Sequence, residues 1–133
     1  MSYLVTGAAG FIGMHLCKRL SDTGNNKVIG IDNFNNYYDV NLKKNRIKSL
    51  LKNKKFKFFK KDICNFSDLN KIIKSNKIKI IIHLAAQPGV RYSIEKPNVY
   101  TKNNLLGFAN ILEASRQNNI KHLLFASSSS VYG

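Results

Sequence analysis

Three glycines at intervals of three, Gly7, Gly10 and Gly13, break an apolar run that starts at Tyr3, and after Gly13 the apolar residues resume at helical spacing. Few folds accommodate that pattern. The backbone has to take unusual dihedrals and approach a partner with no Cβ in the way, while the first free N–H groups of the following helix point outward from its N-terminus. A strand, a phosphate-sized turn and a helix start are therefore expected at the beginning of the chain, the arrangement that holds the pyrophosphate of a dinucleotide.

The remaining segments fit around that unit. Phe11, Ile12, Leu16 and Leu20 recur on one helical face, with Lys18 and Arg19 outward and Gly24 as a stop. Residues 27–32 form a short apolar run ending in Asp32, the expected second strand. Asp32 follows the glycine turn by about 20 residues, the separation at which an acid meets the ribose hydroxyls of a dinucleotide. Its charge also opposes a 2′-phosphate, which favours NAD over NADP; an acid that merely caps the next turn is the alternative. After a polar and aromatic loop at 33–38, apolar spacing over 40–51 (Leu42, Ile47, Leu50, Leu51) predicts a second helix. Residues 56–62 alternate well enough for an edge strand whose lysines face water, with Asp62 and Ile63 at its carboxyl end.

A third helix is expected over 66–76 with Ser67 as its N-cap and Leu69, Ile72 and Ile73 inward. Residues 78–86 are nearly all apolar, the mark of a central strand buried on both faces. His83 interrupts that run and is read as structural. Pro97 opens a long helix carried by Val99, Leu105, Phe108, Ile111, Leu112 and Ala114, and residues 121–126 form a fifth strand followed by four serines. Strand and helix alternate with crossovers long enough to return to a parallel edge, which specifies an α/β, doubly wound parallel sheet in the order 3-2-1-4-5. Ligands of such a sheet bind beyond the strand carboxyl ends where the order reverses, between strands one and four. Gly7 to Gly13, Asp32, Asp62, Ala85 and Ser128 all fall at those ends.

Composition removes several classes. At 133 residues the chain holds one domain at most, and it is short for a complete two-substrate enzyme. The net charge of +15 invites a nucleic-acid reading, but the excess is mostly lysine spread over several segments, a solvated face more than a designed patch. The densest stretch, 43–61, would raise the on-rate of an anionic nucleotide. Cys17 and Cys64 lack metal-type spacing, so reduced, buried thiols are expected and no metal site. Without a signal peptide or a membrane-length run, a cytoplasmic protein with no nucleic-acid or membrane partner is expected.

The pattern T-G-x-x-G-x-x-G over Thr6 to Gly13 resembles the extended short-chain dehydrogenase/reductase superfamily more than the general G-x-G-x-x-G motif. Residues 31–43 (IDNFNNYYDVNLK), 83–93 (HLAAQPGVRYS) and 126–133 (ASSSSVYG) are similar to the NAD-dependent nucleotide-sugar epimerases, most closely the UDP-glucuronate 4-epimerase group. The match runs from end to end and covers only the first part of such an enzyme, so residues 1–133 are expected to be an incomplete NAD-binding Rossmann domain. The resemblance implies an isomerase that removes hydride from C4 of a UDP-sugar and returns it to the other face of a 4-keto intermediate. It assigns the cofactor to Gly7, Gly10, Phe11, Ile12 and Gly13, to Asp32, Asn33, Asp62 and Ile63, and to Leu84, Ala85, Ala86 and Asn103. Gln87, Arg91, Ser129 and Ser130 are assigned to the substrate, and Ser128 to the catalytic serine that bonds the reacting oxygen, with Ser127 as its nearest competitor in register. A homodimer is implied for the full-length enzyme.

The same resemblance calls for a Tyr-x-x-x-Lys pair on the helix after strand five. Tyr92 and Lys96 have the right letters, yet they sit in the loop after strand four and run into Pro97, so the true pair is expected beyond Gly133, the chain alone is expected to be inactive, and Tyr132 is read as a packing residue. A nucleotide-sugar dehydratase or decarboxylase would carry an acid just after the strand-five serine, where this chain has Ser129. A non-catalytic dinucleotide-binding module would need no serine there. Whether the sugar is a uronic acid or a neutral hexose stays open at this point.

Overall fold

Short runs of Ile, Val, Leu and Phe, the residues that fit a pleated and half-buried surface, make the five strands of the computed structural model. They are β1 (Ser2–Thr6), β2 (Lys27–Asp32), β3 (Phe56–Lys60), β4 (Ile80–His83) and β5 (His122–Phe125). The structure describes residues 1–132, the side chains of Ser129 and Ser130 excepted. All four strand pairs are parallel and the order is β3-β2-β1-β4-β5, as the sequence pattern requires.

Alternation along each strand divides the core in two. Leu4, Ile29, Ile31 and Ile81 point to one face, where α3 (Phe66–Ser75) and α6 (Gly107–Gln117) cover them with Leu69, Ile72, Ile73 and Ile111. Val5, Val28 and Ile82 point to the other, beneath Cys17 of α1 (Phe11–Asp22) and Ile47 and Leu50 of α2 (Val40–Leu50). Each fully buried Leu or Ile contributes on the order of 2 kcal/mol. The exposed ion pairs Lys18–Asp22, Lys61–Asp68 and Arg116–Glu113 are worth about 1 kcal/mol or less each, so the two apolar layers hold the sheet.

Several elements depart from the sequence pattern. The N-cap of α3 is Asn65, whose side chain accepts the Asp68 N–H, and not Ser67, which falls inside the first turn. The buried stripe of α1 is Gly13, Cys17 and Ser21, while Phe11 and Ile12 are 68% and 66% exposed because the first turn lines an open cleft. Leu42, Leu51, Leu105 and Leu112 likewise face outward. Residues expected in a loop form a short helix, α4 (Val90–Glu95), started after Gly89 at φ +104° and ended before Pro97. The long helix begins at Pro97 as expected, but α5 (Pro97–Tyr100) passes into a π-helical turn, Thr101–Leu106, before α6. Both cysteines are free; Cys17 is buried and its thiol is pushed up to about 12 by burial, whereas Cys64 is only half-buried. Tyr132 is 92% exposed and does not act as a packing residue. Among the described residues no helix is long and apolar enough to cross a membrane, and no group of three metal-type side chains occurs.

Candidate functional site

The carboxyl end of β1 delivers the chain into the glycine turn. Gly7 stands at φ +70°, and a Cβ there would lie 2.9 Å from the Ala85 nitrogen, so the turn is pressed against the chain leaving β4. A Cβ on Gly13 would collide with the carbonyl oxygen of Gly7. The Gly10 N–H donates to that oxygen at 3.0 Å, and Gly10 then serves as the N-cap of α1. No side chain caps this helix and no acid lies in its first turn, so no capping side chain occupies its first N–H groups. A cradle of bare backbone that added side-chain atoms would fill, at the positive end of a helix dipole, fits a diphosphate.

Beneath the cradle lies a buried lock. Thr6 Oγ1 accepts the Leu84 and Ala85 N–H groups, both at 3.2 Å, and sits 2.7 Å from His83 Nδ1. With two N–H donors already on the oxygen, the hydroxyl proton goes to Nδ1, which fixes the His83 proton on Nε2. Burial lowers the His83 pKa from 6.5 to about 4, keeping the ring neutral, and the ring stacks on Phe108 with centroids 5.5 Å apart. His83 is structural, as read from its place in a core strand. It fixes the turn of Leu84, Ala85 and Ala86 beside the glycines.

Two acids flank the cradle. Asp32 accepts the Ala9 N–H at 3.2 Å through Oδ2 and the Phe34 N–H at 2.9 Å through Oδ1, and each carboxylate oxygen keeps acceptor capacity toward the cleft. Asp62 receives the Cys64 N–H at 2.8 Å and Asn33 Nδ2 at 3.3 Å. Burial opposes its ionisation, but these hydrogen bonds and Lys102 outweigh burial and hold the carboxyl below its usual range. Burial, then the neighbouring Asp62, pushes the Cys64 thiol up to about 11.

These pieces bound a cleft of about 440 Å³ at the strand carboxyl ends. Of the residues expected at a cofactor, Gly7, Gly10, Phe11, Ile12, Gly13, Asp32, Asn33, Ile63, Leu84, Ala85, Ala86 and Asn103 all line it. Asp62 stands behind the wall and orients Asn33. Asn103 comes from the π-helical turn, a distortion common at functional sites. On the substrate side, Gln87 is 4% exposed and its carboxamide is engaged by Asn35 and the Pro88 carbonyl, so it braces the wall. Arg91 is exposed on α4. Ser127 and Ser128 are exposed after β5, two and fewer residues past the cleft-lining Ala126, and the Ser128 carbonyl accepts the Val131 N–H at 3.3 Å. The side chains of Ser129 and Ser130 lie outside the described residues. Tyr92 is on α4, and its ring packs 5.1 Å from that of Tyr37.

The sequence pattern missed the roof. Asn35, Tyr37 and Tyr38 from the β2–α2 loop and Lys43 from α2 line the cleft with Pro88. Nothing in a polar, aromatic loop and a lysine run distinguishes these positions from solvated surface.

The family model described as GDP-mannose 4,6 dehydratase matches residues 4–133. The chain is 51% identical over 133 residues to Protein CapI of Staphylococcus aureus, covering 100% of this chain and 39% of that protein. It is 46% identical over 130 residues to the UDP-glucuronate 4-epimerase of Thermodesulfobacterium geofontis, covering 98% and 40%. Among solved structures, the UDP-glucuronic acid 4-epimerase of Bacillus cereus in complex with UDP-glucuronic acid and NAD superposes with a TM-score of 0.89 at 43% identity, covering 100% of this chain and 42% of that one. The chain thus spans about two fifths of the length of these relatives.

Proposed function

The chain belongs to the GDP-mannose 4,6 dehydratase family, and from that premise we propose that it forms the NAD-binding part of a UDP-glucuronate 4-epimerase. The observation that carries this reading is the bare glycine cradle sealed against Ala85, with Asp32 facing the cleft at the end of β2. Gly7, Gly10 and the first turn of α1 hold the diphosphate, Asp32 bonds the adenosine ribose, and Leu84, Ala85 and Ala86 leave room for the nicotinamide end. When bound, NAD supplies a hydride acceptor and donor for C4 of the sugar.

The chain's own residues orient and polarise. Ser128 bonds the reacting oxygen, Arg91 pairs with the sugar carboxylate, and Ser129 and Ser130 add hydrogen bonds to it. Gln87 acts from behind, through the wall it braces. The general base of this reading is a Tyr-x-x-x-Lys pair that Tyr92 and Lys96 do not provide, since Tyr92 is held in an aromatic cluster with Tyr37 and Tyr100. The full-length reading includes a homodimer in the cytoplasm. The family's description favours a second reading, a dehydratase; Ser129, where that chemistry needs an acid after the serine, and the epimerase relatives favour the first.

Titration of the purified chain with NAD tests the assignment. Asp32→Ala is expected to weaken NAD about tenfold, equivalent to ~1.4 kcal/mol. Undiminished binding by the variant would sink the ribose assignment, and no NAD binding by the unaltered chain would sink the reading as a whole.

A further inference from the structure

Lys43 reads in the sequence as one more member of a basic run, yet its side chain is buried, with 7% of the residue exposed, and it lines the cleft. Its Nζ donates to the backbone oxygen of Asn35 at 2.8 Å and to Asn35 Oδ1 at 2.7 Å. An ammonium has three protons, so these bonds leave one donor unused. Both partners are neutral. Among the described residues Lys43 joins no ion pair; Asp32, which lines the same cleft, accepts the Ala9 and Phe34 N–H groups. A buried charge without a counter-charge is costly to keep, and most proteins avoid one unless something pairs with it.

The ammonium is also held in place. Asn35 Nδ2 donates to Gln87 Oε1 at 3.2 Å, and Gln87 exchanges two backbone hydrogen bonds with the Asn104 carboxamide, at 2.8 and 3.1 Å. A chain of bonds therefore runs from α2 through Asn35 and the buried Gln87 to the π-helical turn, and Lys43 is anchored at one end of it. Surface lysines sweep a wide volume; this one is aimed.

We propose that Lys43 is an anion contact of the cleft and takes a phosphate oxygen of the bound adenine nucleotide. The inference rests on the nucleotide-binding reading above. The phosphate can be that of the 5′-diphosphate or one on the 2′ position; the Asp32 carboxylate at the ribose opposes the second.

Calorimetric titration with adenosine, ADP and 2′-AMP separates these cases on the full chain. Lys43→Met should lose about tenfold in ADP affinity while adenosine, which has no phosphate, binds as before. A loss confined to 2′-AMP also supports the contact and assigns it to the 2′ position. Equal losses for adenosine and ADP mean that Lys43 is a structural brace, and undiminished ADP binding means it contacts no phosphate; either overturns the proposal. Should Lys43→Met fail to fold, Lys43→Gln removes the charge and keeps a donor toward Asn35, with the same outcomes read. An unaltered chain that binds neither ADP nor NAD overturns the nucleotide reading and this inference together, whereas NAD binding with ADP affinity unmoved by either variant overturns Lys43 alone.

Discussion

The floor and the roof of the cleft are built on opposite principles. In the floor, Gly7, Gly10 and Gly13 contribute only backbone, and the fit is set by atoms that are absent: a Cβ at Gly7 would lie 2.9 Å from Ala85 N. In the roof, Lys43 and Asn35 are joined to each other and to the bracing Gln87 by side-chain hydrogen bonds between segments up to 52 residues apart. A floor of this kind tolerates no added atom, because backbone cannot step aside. A roof of side chains adapts, and losing one member weakens a contact without closing the cleft.

Gly13→Ala is the hardest test of that contrast and carries the largest expected effect on ligand affinity. The new methyl would meet the Gly7 carbonyl, forcing the turn open, so adenosine, ADP and NAD should all lose at least about 100-fold in affinity, equivalent to ~2.7 kcal/mol. Lys43→Met, in contrast, spares adenosine. If Gly13→Ala also spares adenosine in a calorimetric titration, the floor is no more rigid than the roof.

Thr6→Val sharpens the comparison at nearly constant shape. It removes the acceptor of the Ala85 N–H and the donor to His83, both buried or half-buried, while the Leu84 N–H keeps the Thr6 backbone carbonyl at 3.3 Å, and each orphaned group costs about 1–3 kcal/mol. Denaturant unfolding should show a loss of about 3 kcal/mol. Asn35→Ala in the half-buried roof should cost about 1 kcal/mol or less, because water can replace its bonds. Similar losses for the two variants would erase the distinction.

The same contrast explains what was legible in the sequence. Strand order, the glycine turn, Asp32 and the Leu84–Ala85–Ala86 segment follow from local patterns: period-two and period-3.6 burial, and glycines at a fixed spacing before a helix. Positions such as Asn33 and Asn103 came from the family resemblance, and all the positions expected at the cofactor line the cleft except Asp62, which stands behind its wall. The roles of Lys43, Asn35 and Gln87 came from neither, because they depend on which distant segment each one meets, and a buried lysine in a basic run looks the same as its solvated neighbours. The misplaced N-cap has a local cause: Asn65 and Ser67 are both good caps, and the turn in which the Asn65 N–H bonds the Asp62 carbonyl selects the first.

One test reads the floor without touching its shape. His83 has a folded pKa of about 4 against an ordinary 6.5, because burial disfavours the imidazolium. The unfolded chain therefore binds the proton first, and stability is full above about pH 6.5 and falls as the pH drops toward about 4, by a total of ~3 kcal/mol from this residue. Asp62 and Glu113 are both held below their usual carboxylate range, so their acid losses come at lower pH and leave that window to His83. Urea unfolding between pH 7 and pH 4.5 should show the slope in the parent chain and a much flatter line in His83→Phe, whose ring keeps the stack on Phe108. Equal slopes would mean that the ring takes up its proton while still folded, and that the Thr6–His83 lock under the cradle is looser than its 2.7 Å contact indicates.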